Sequence, residues 1–193
     1  MKLGIIIGSV REGRVSDRLA KWVENEAKLL DNVETVIVDL KKHQMPFFSE
    51  PASPQYNPER QPDKSVQEWL DIVAECDALA VVTPEYNRSY SAVLKNAIDH
   101  LDFQLKHKPV MIVAHGSTGG AQAVSHLRAV FPGVLAVTIP PAVMVVGQVS
   151  QIINEKGEAN EEIKNNPYGP QSALKNALEE LKWYSDALAK ARQ

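Results

Sequence analysis

The chain of 193 residues carries a single cysteine, Cys76. One cysteine excludes an intrachain disulfide and any cysteine-built metal cage, and it fits a reducing, cytoplasmic setting. On the same ground Asn87-Arg88-Ser89, formally a glycosylation sequon, is read as a coincidence. There is no basic cluster, and the formal charge is −3, so a nucleic-acid partner is not expected. No apolar run approaches the length that spans a bilayer, so no membrane partner is expected either. Lys2 to Gly8 imitates a signal peptide, yet the run is short and leads into Arg11, Glu12 and Arg14, so it is read as a first strand. Internal repeats, low-complexity tracts and a second-domain linker are all missing. The expectation is one domain over residues 1–193, long enough to bury a full core.

What is present is an alternation of apolar runs and helical stripes. Lys2–Gly8, Thr35–Leu40, Ala78–Thr83 and Pro109–Ala114 read as strands, the third of them, without polar alternation, buried on both faces. Val134 to Ile139, continuing past Pro140-Pro141 to Val146, reads as a fifth strand bent or split by its prolines. Helical spacing appears in Leu19, Trp22, Val23, Ala27 and Leu30; in Val66, Trp69, Leu70 and Val73; and in Val93, Leu94, Ala97, Ile98 and Leu101. Shorter stripes follow at Val124, Leu127 and Val130, and the chain closes on a stripe from Leu174 to Leu188. Ser65 and Glu68 have capping-box spacing. Met45 to Pro62 is too rich in proline for regular structure, and Glu155 to Pro170 reads as a polar surface loop. Five β-α units with short crossovers predict a doubly wound, three-layer α/β fold with a five-stranded parallel sheet of order 2-1-3-4-5, the flavodoxin-like arrangement. That order places the loops after strands one and three across one crevice.

Three loops on this carboxyl edge could hold a ligand. Gly8 to Ser16 joins a strand to a helix N-terminus, where free N–H groups, Ser9, Ser16 and Arg11 suit a phosphate monoester. The alternative is a polar turn with solvated arginines. The loop is neither a Gly-x-Gly-x-x-Gly fingerprint nor a Walker loop, which disfavours classical NAD binding and P-loop chemistry. Thr83-Pro84-Glu85-Tyr86-Asn87-Arg88-Ser89-Tyr90 offers an aromatic face and hydrogen-bonding groups fit for a flat heterocycle such as a flavin. The alternative is a turn whose Asn87 caps the next helix. In His115-Gly116-Ser117-Thr118-Gly119-Gly120 the glycines can bring N–H donors to a planar ligand edge, or form a turn with no ligand. The string is not a Gly-x-Ser-x-Gly elbow, so a hydrolase is disfavoured.

Gly8-Ser9-x-Arg11-x-x-Arg14, Thr83-Pro84-Glu85-Tyr86-Asn87, Leu94-Lys95-Asn96-Ala97-Ile98-Asp99 and Gly119-Gly120, in that order, resemble the NADPH-dependent FMN reductase family over almost the whole chain. The resemblance implies a flavodoxin-like fold, noncovalent FMN, and NADPH or NADH as donor for quinones, azo dyes, free flavin or metal oxyanions such as chromate. It implies FMN phosphate at Ser9, Arg11 and Ser16, with Arg14 and Val15 in the same loop. The ring would lie against Pro84, Glu85, Tyr86 and Asn87 and the turn of Ser117, Gly119 and Gly120. Two departures stand out: Arg88, where many members carry Gly or His, and the His115-Gly116-Ser117 approach to the glycine pair. No protein nucleophile, acid or base is named, because hydride chemistry belongs to the cofactor.

A flavodoxin-type electron carrier or a regulatory FMN-binding module are the competing readings. Carriers are usually strongly acidic with a Ser/Thr-rich phosphate loop, whereas this chain is near neutral and uses arginines. Phe47, Phe48 and Tyr56 in the proline-rich stretch are expected to be covered by a second subunit, in a homodimer or homotetramer to which Tyr90 and Arg88 also reach.

Overall fold

The computed structural model describes residues 1–192. Strands β1 (Lys2–Ile7), β2 (Glu34–Asp39), β3 (Ala78–Pro84) and β4 (Pro109–Gly116) form a parallel sheet. The fifth position is filled by two short strands, β5 (Val137–Thr138) and β6 (Val143–Val146), which pair with the two ends of β4. The order β2-β1-β3-β4-β5 is the one expected from the β-α alternation, and the split falls at Pro140-Pro141, where no ladder donor exists.

The sheet is apolar on both faces because successive side chains point to opposite sides. Leu3, Ile5, Ile7, Ala80, Val82, Met111 and Val113 pack under α1 (Ser16–Ala27) and α7 (Pro170–Ala191). Ile6, Leu79, Val81, Val110 and Ile112 pack under α2 (Lys64–Glu75), α3 (Ala92–Asp99) and α4 (Ala121–Val130). The buried indoles each find an acceptor: Trp22 donates to Gln171 Oε1 at 2.7 Å and Trp69 to the Ala97 carbonyl at 2.9 Å.

Two local expectations are corrected. α2 begins at Lys64 with Asp63 at its cap position, so Ser65 lies inside the first turn and forms no capping box. The Glu155–Pro170 segment is not wholly irregular: α6 (Glu161–Asn165) follows the short α5 (Val149–Ile152) and a bridge between Ile153 and Ala159. Apolar Ile153 and Ala159 anchor it in the core, and Gly157 lies so close to α1 that a Cβ would stand 2.5 Å from the Trp22 nitrogen.

The proline-rich excursion has one 3₁₀ turn, Pro54–Tyr56, and is otherwise irregular. Its base is tied to α3. Asn96 accepts from the Phe48 N–H at 2.9 Å and donates to the Pro46 carbonyl at 2.9 Å, while His100 Nε2 lies 3.0 Å from the same carbonyl. Arg60 braces the far side by a paired contact with Glu50 and a bond to the His100 carbonyl. Phe48 packs edge-on against His100, whereas Phe47 and Tyr56 are 81% and 83% exposed.

Candidate functional site

Registers Ile7↔Val82 and Pro84↔His115 bring the loops after β1, β3 and β4 out of the sheet side by side. The crevice expected between the first two exists, and they touch: Ser9 Oγ and Tyr86 Oη are 3.0 Å apart. The Arg11 guanidinium lies 5.8 Å above the Tyr86 ring. Tyr86 is therefore a bridge to the first loop, with one face covered by a cation.

In the first loop the N–H groups of Val10 to Gly13 and of Val15 to Asp17 find no acceptor among the described residues. Val15 is the α1 cap residue and contributes no side-chain cap. A ring of unpartnered amides at a helix start is the donor set an anion needs, so the residues present fit a phosphate. Arg14 plays a different part. Its Nη1 donates to the Ser9 carbonyl at 2.5 Å and to Asp39 Oδ1 at 2.7 Å, and Nη2 to Asp39 Oδ2 at 2.6 Å. The forked bond clamps the loop to the end of β2. Burial pushes the Asp39 carboxyl up, but the bonds from Arg14 and the Lys41 N–H outweigh it and hold the group below the usual carboxylate range. Ser16 is fully buried, and its hydroxyl meets His115 Nε2 at 2.8 Å instead of the open face, which leaves its backbone N–H for a ligand.

β4 runs through His115 and Gly116, so the third loop begins at Ser117. His115 is buried, and burial, then the charge of Arg11, lowers its pKa to about 4. Its carbonyl accepts from the Glu85 N–H at 2.8 Å. The Glu85 carboxylate accepts from the Gln122 N–H at 2.9 Å and the Thr118 hydroxyl at 3.3 Å, so this acid serves the N-terminus of α4. Gly119 and Gly120 have φ of 72° and 80°, and a Cβ on Gly120 would stand 2.5 Å from that of Ala114. The Gly119 N–H bonds the Gly116 carbonyl, while those of Ser117, Thr118 and Gly120 have no acceptor among the described residues.

Pro84 ends β3 buried, and the next residues close a tight turn: Tyr86 and Ser89 exchange backbone bonds at 2.7 and 3.0 Å, with Asn87 and Arg88 at φ of 48° and 69°. Two positive φ values are the mark of a type I′ turn. Asn87 does not cap α3; Ser91 does, accepting from the Leu94 N–H and donating to the Gly8 carbonyl. Between this turn and Ser117-Thr118 lies an open cleft of about 490 Å³.

Three braces were not foreseen from sequence: Asp39 on Arg14, His115 on Ser16, and Glu85 on α4. An acid ending strand two and a histidine ending strand four, both on the carboxyl edge, were the available signals. Cys76 lies away from this edge, hydrogen-bonded to the Ile72 carbonyl, and burial pushes its thiol up to about 11. Among the described residues no group of His, Cys, Asp and Glu could hold a metal ion.

Comparison with known proteins turns this geometry into a lineage. Residues 1–151 match the family described as NADPH-dependent FMN reductase. The chain belongs to that family. It is similar to the NAD(P)H-dependent FMN reductase LOT6 of Saccharomyces cerevisiae, 33% identical over 180 residues covering 84% of this chain and 93% of the relative. It is 30% identical to an NADPH azoreductase of Bacillus sp. strain OY1-2 over 188 residues, 95% and 92% of the two chains. Among solved structures it matches FerB, a flavoenzyme NAD(P)H:(acceptor) oxidoreductase of Paracoccus denitrificans. That match has a TM-score of 0.71, 22% identity, and coverage of 98% of this chain and 97% of that one. The resemblance read from the motifs is borne out, and with it the fold, an oxidoreductase activity, FMN as cofactor and NAD(P)H as donor. No helix among the described residues is long and apolar enough to cross a membrane.

Proposed function

We propose that this flavin-dependent oxidoreductase passes two electrons from NADPH or NADH to small acceptors: quinones, azo compounds, free flavin or metal oxyanions such as chromate. The observation that carries the reading is the ring of unpartnered amides of Val10 to Gly13 and Val15 to Asp17, set beside a second loop that it touches through Ser9 and Tyr86. FMN, when bound, supplies the hydride acceptor and the two-electron relay.

The chain's own part is to bind, orient and stabilise charge. The amides of Val10 to Gly13 and Val15 to Asp17 would hold the phosphate, with Ser9 and the guanidinium of Arg11 beside them. Arg14 acts one step back, keeping the loop in its phosphate-binding shape through Asp39. Pro84, Glu85, Tyr86 and Asn87 would border the ring on one side and Ser117, Gly119 and Gly120 on the other. The unpartnered N–H groups of Ser117, Thr118 and Gly120 would face the ring edge where negative charge gathers, a preorganised electrostatic aid. No side chain needs to exchange a proton with the substrate. His115, neutral above about pH 4, and Cys76, held as a thiol, are consistent with that.

We further propose a homodimer or homotetramer, supported by the exposure of Phe47 and Tyr56, and a cytoplasmic location, supported by the single buried cysteine.

The test is uptake of one FMN per chain with riboflavin binding more weakly, followed by initial rates of NAD(P)H oxidation with a quinone. Parallel lines, the ping-pong pattern, are expected because donor and acceptor would use one flavin face in turn. Absence of turnover with every small acceptor would favour an electron carrier instead.

A further inference from the structure

Arg88 is a residue the fold would be better off without. It occupies the second central position of a type I′ turn at φ 69°, a conformation that suits glycine and strains a side chain. The side chain is exposed and makes no hydrogen bond or ion pair among the described residues. Strain that no internal contact repays is a reason to look for a role outside the fold.

The surroundings say what that role is. Arg88 lines the open cleft of about 490 Å³ with Glu85, Asn87, Ser117 and Thr118, a volume within the range of about 300 to 1,000 Å³ typical of ligand sites. The one acid there, Glu85, has its carboxylate committed to the Gln122 N–H and the Thr118 hydroxyl. What remains is a donor-rich mouth: the guanidinium, the Asn87 amide, the Ser117 hydroxyl, and the unpartnered N–H groups of Ser117 and Thr118. A planar fork with several donors suits a tetrahedral oxyanion and has no counterpart for a neutral, apolar molecule.

We propose that Arg88 is the anion-recognition residue of this cleft, gripping a phosphate or sulfonate group on the substrate that enters between Asn87-Arg88 and Ser117-Thr118. This deepens the reading above and rests on it, because the cleft borders the ring position assigned there. Arg88 sets which substrates dwell over the ring, and it takes no part in the electron transfer.

The strain supplies its own control. Arg88→Gly removes the guanidinium and relieves the turn, so its thermal midpoint should equal or exceed that of the parent protein. With FMN-loaded protein, calorimetric binding of NADP⁺, NAD⁺, and a sulfonated azo dye beside its unsulfonated parent would be compared for the parent, Arg88→Gly and Arg88→Lys. At least one anionic probe should lose tenfold or more in affinity in Arg88→Gly, with partial retention in Arg88→Lys. The unsulfonated dye should bind as before, and the FMN affinity should stay within threefold. Loss with NADP⁺ alone assigns the contact to the 2′-phosphate. Equal loss with NADP⁺ and NAD⁺ assigns it to the pyrophosphate, and loss with the sulfonated dye alone assigns it to the acceptor. All anionic probes binding Arg88→Gly within threefold of the parent would overturn the proposal, as would a lowered thermal midpoint. Failure of the parent to take up FMN would instead sink the flavoprotein reading, and dinucleotide binding to that same protein would still decide for or against Arg88.

Discussion

The hydroxyl of Ser16 and the imidazole of His115 meet at 2.8 Å in the protein interior, joining the first turn of α1 to the end of β4 across 99 positions of sequence. The folded protein keeps this ring neutral down to about pH 4, whereas the unfolded chain takes up the proton near 6.5. Stability should therefore decline as pH falls from about 6.5 toward 4, by at most about 3 kcal/mol from this group, and the loss should level off below. Urea unfolding at pH 7, 5 and 4 should show a shallower acid decline in His115→Gln than in the parent protein. Equal slopes would mean that the ring is protonated in the folded state after all.

Asp39→Asn would strip Arg14 of its paired anion while both lie largely buried, with side-chain exposures of 13% for the arginine and 11% for the acid. The expected cost is about 2 to 4 kcal/mol in denaturant unfolding. Since the folded carboxyl is held below its ordinary range, its contribution is complete above that range and disappears as acid carries the pH through the lowered value. FMN affinity should fall along with stability, because the clamp shapes the phosphate loop. A variant as stable as the parent would show the clamp to be ornamental.

Arg11→Ala should weaken FMN by about 1.5 to 3 kcal/mol, the usual worth of a bond to a charged group, while riboflavin affinity changes little. Flavin fluorescence titration reads both. Equal losses for the two flavins would mean that Arg11 acts through the Tyr86 ring and not on the phosphate.

Gly120→Ala places a methyl group 2.5 Å from the Ala114 Cβ at a φ of 80°. Either fault alone is costly, and together they should remove about 2 to 4 kcal/mol and displace the third loop. Thermal unfolding measures the first effect. An alanine variant with an unchanged midpoint would require a backbone different from the one described.

Light scattering at micromolar concentration should return at least twice the mass of one chain. Replacing Phe47 and Tyr56 together by serine should shift the population toward the single chain, since these are the aromatics the excursion leaves uncovered. The mass of one chain for the parent protein would overturn the oligomer proposal.

The fold was legible because its signals are local and redundant: each strand is an apolar run, each helix a stripe, and few sheet orders satisfy five short crossovers. Facing loops followed from that order, as Ser9 and Tyr86 bear out. What stayed hidden was the pairing of charges. The clamp of Arg14 on Asp39 was not legible because nothing near Arg14 in sequence announces its partner, 25 positions away. The second duty of Glu85, accepting from the Gln122 N–H, depends on where α4 begins, which the sequence pattern does not locate. The capping box at Ser65 failed for a similar reason: Asp63, two residues earlier, holds the cap position, and spacing alone does not choose between them. Phe48 and Phe47 are neighbours with opposite fates, settled by His100, which only the folded chain brings under one of them.

Ser9 to Tyr86, Ser16 to His115 and Glu85 to Gln122 fasten each loop of the crevice to another part of the molecule before any cofactor arrives. Such a site should behave mechanically as a single stiff body. The amides inside those braces should exchange slowly with or without the flavin, those of Val10 to Gly13 and Val15 to Asp17 should gain protection only when FMN binds, and emptied protein should refill at once, without a slow refolding phase.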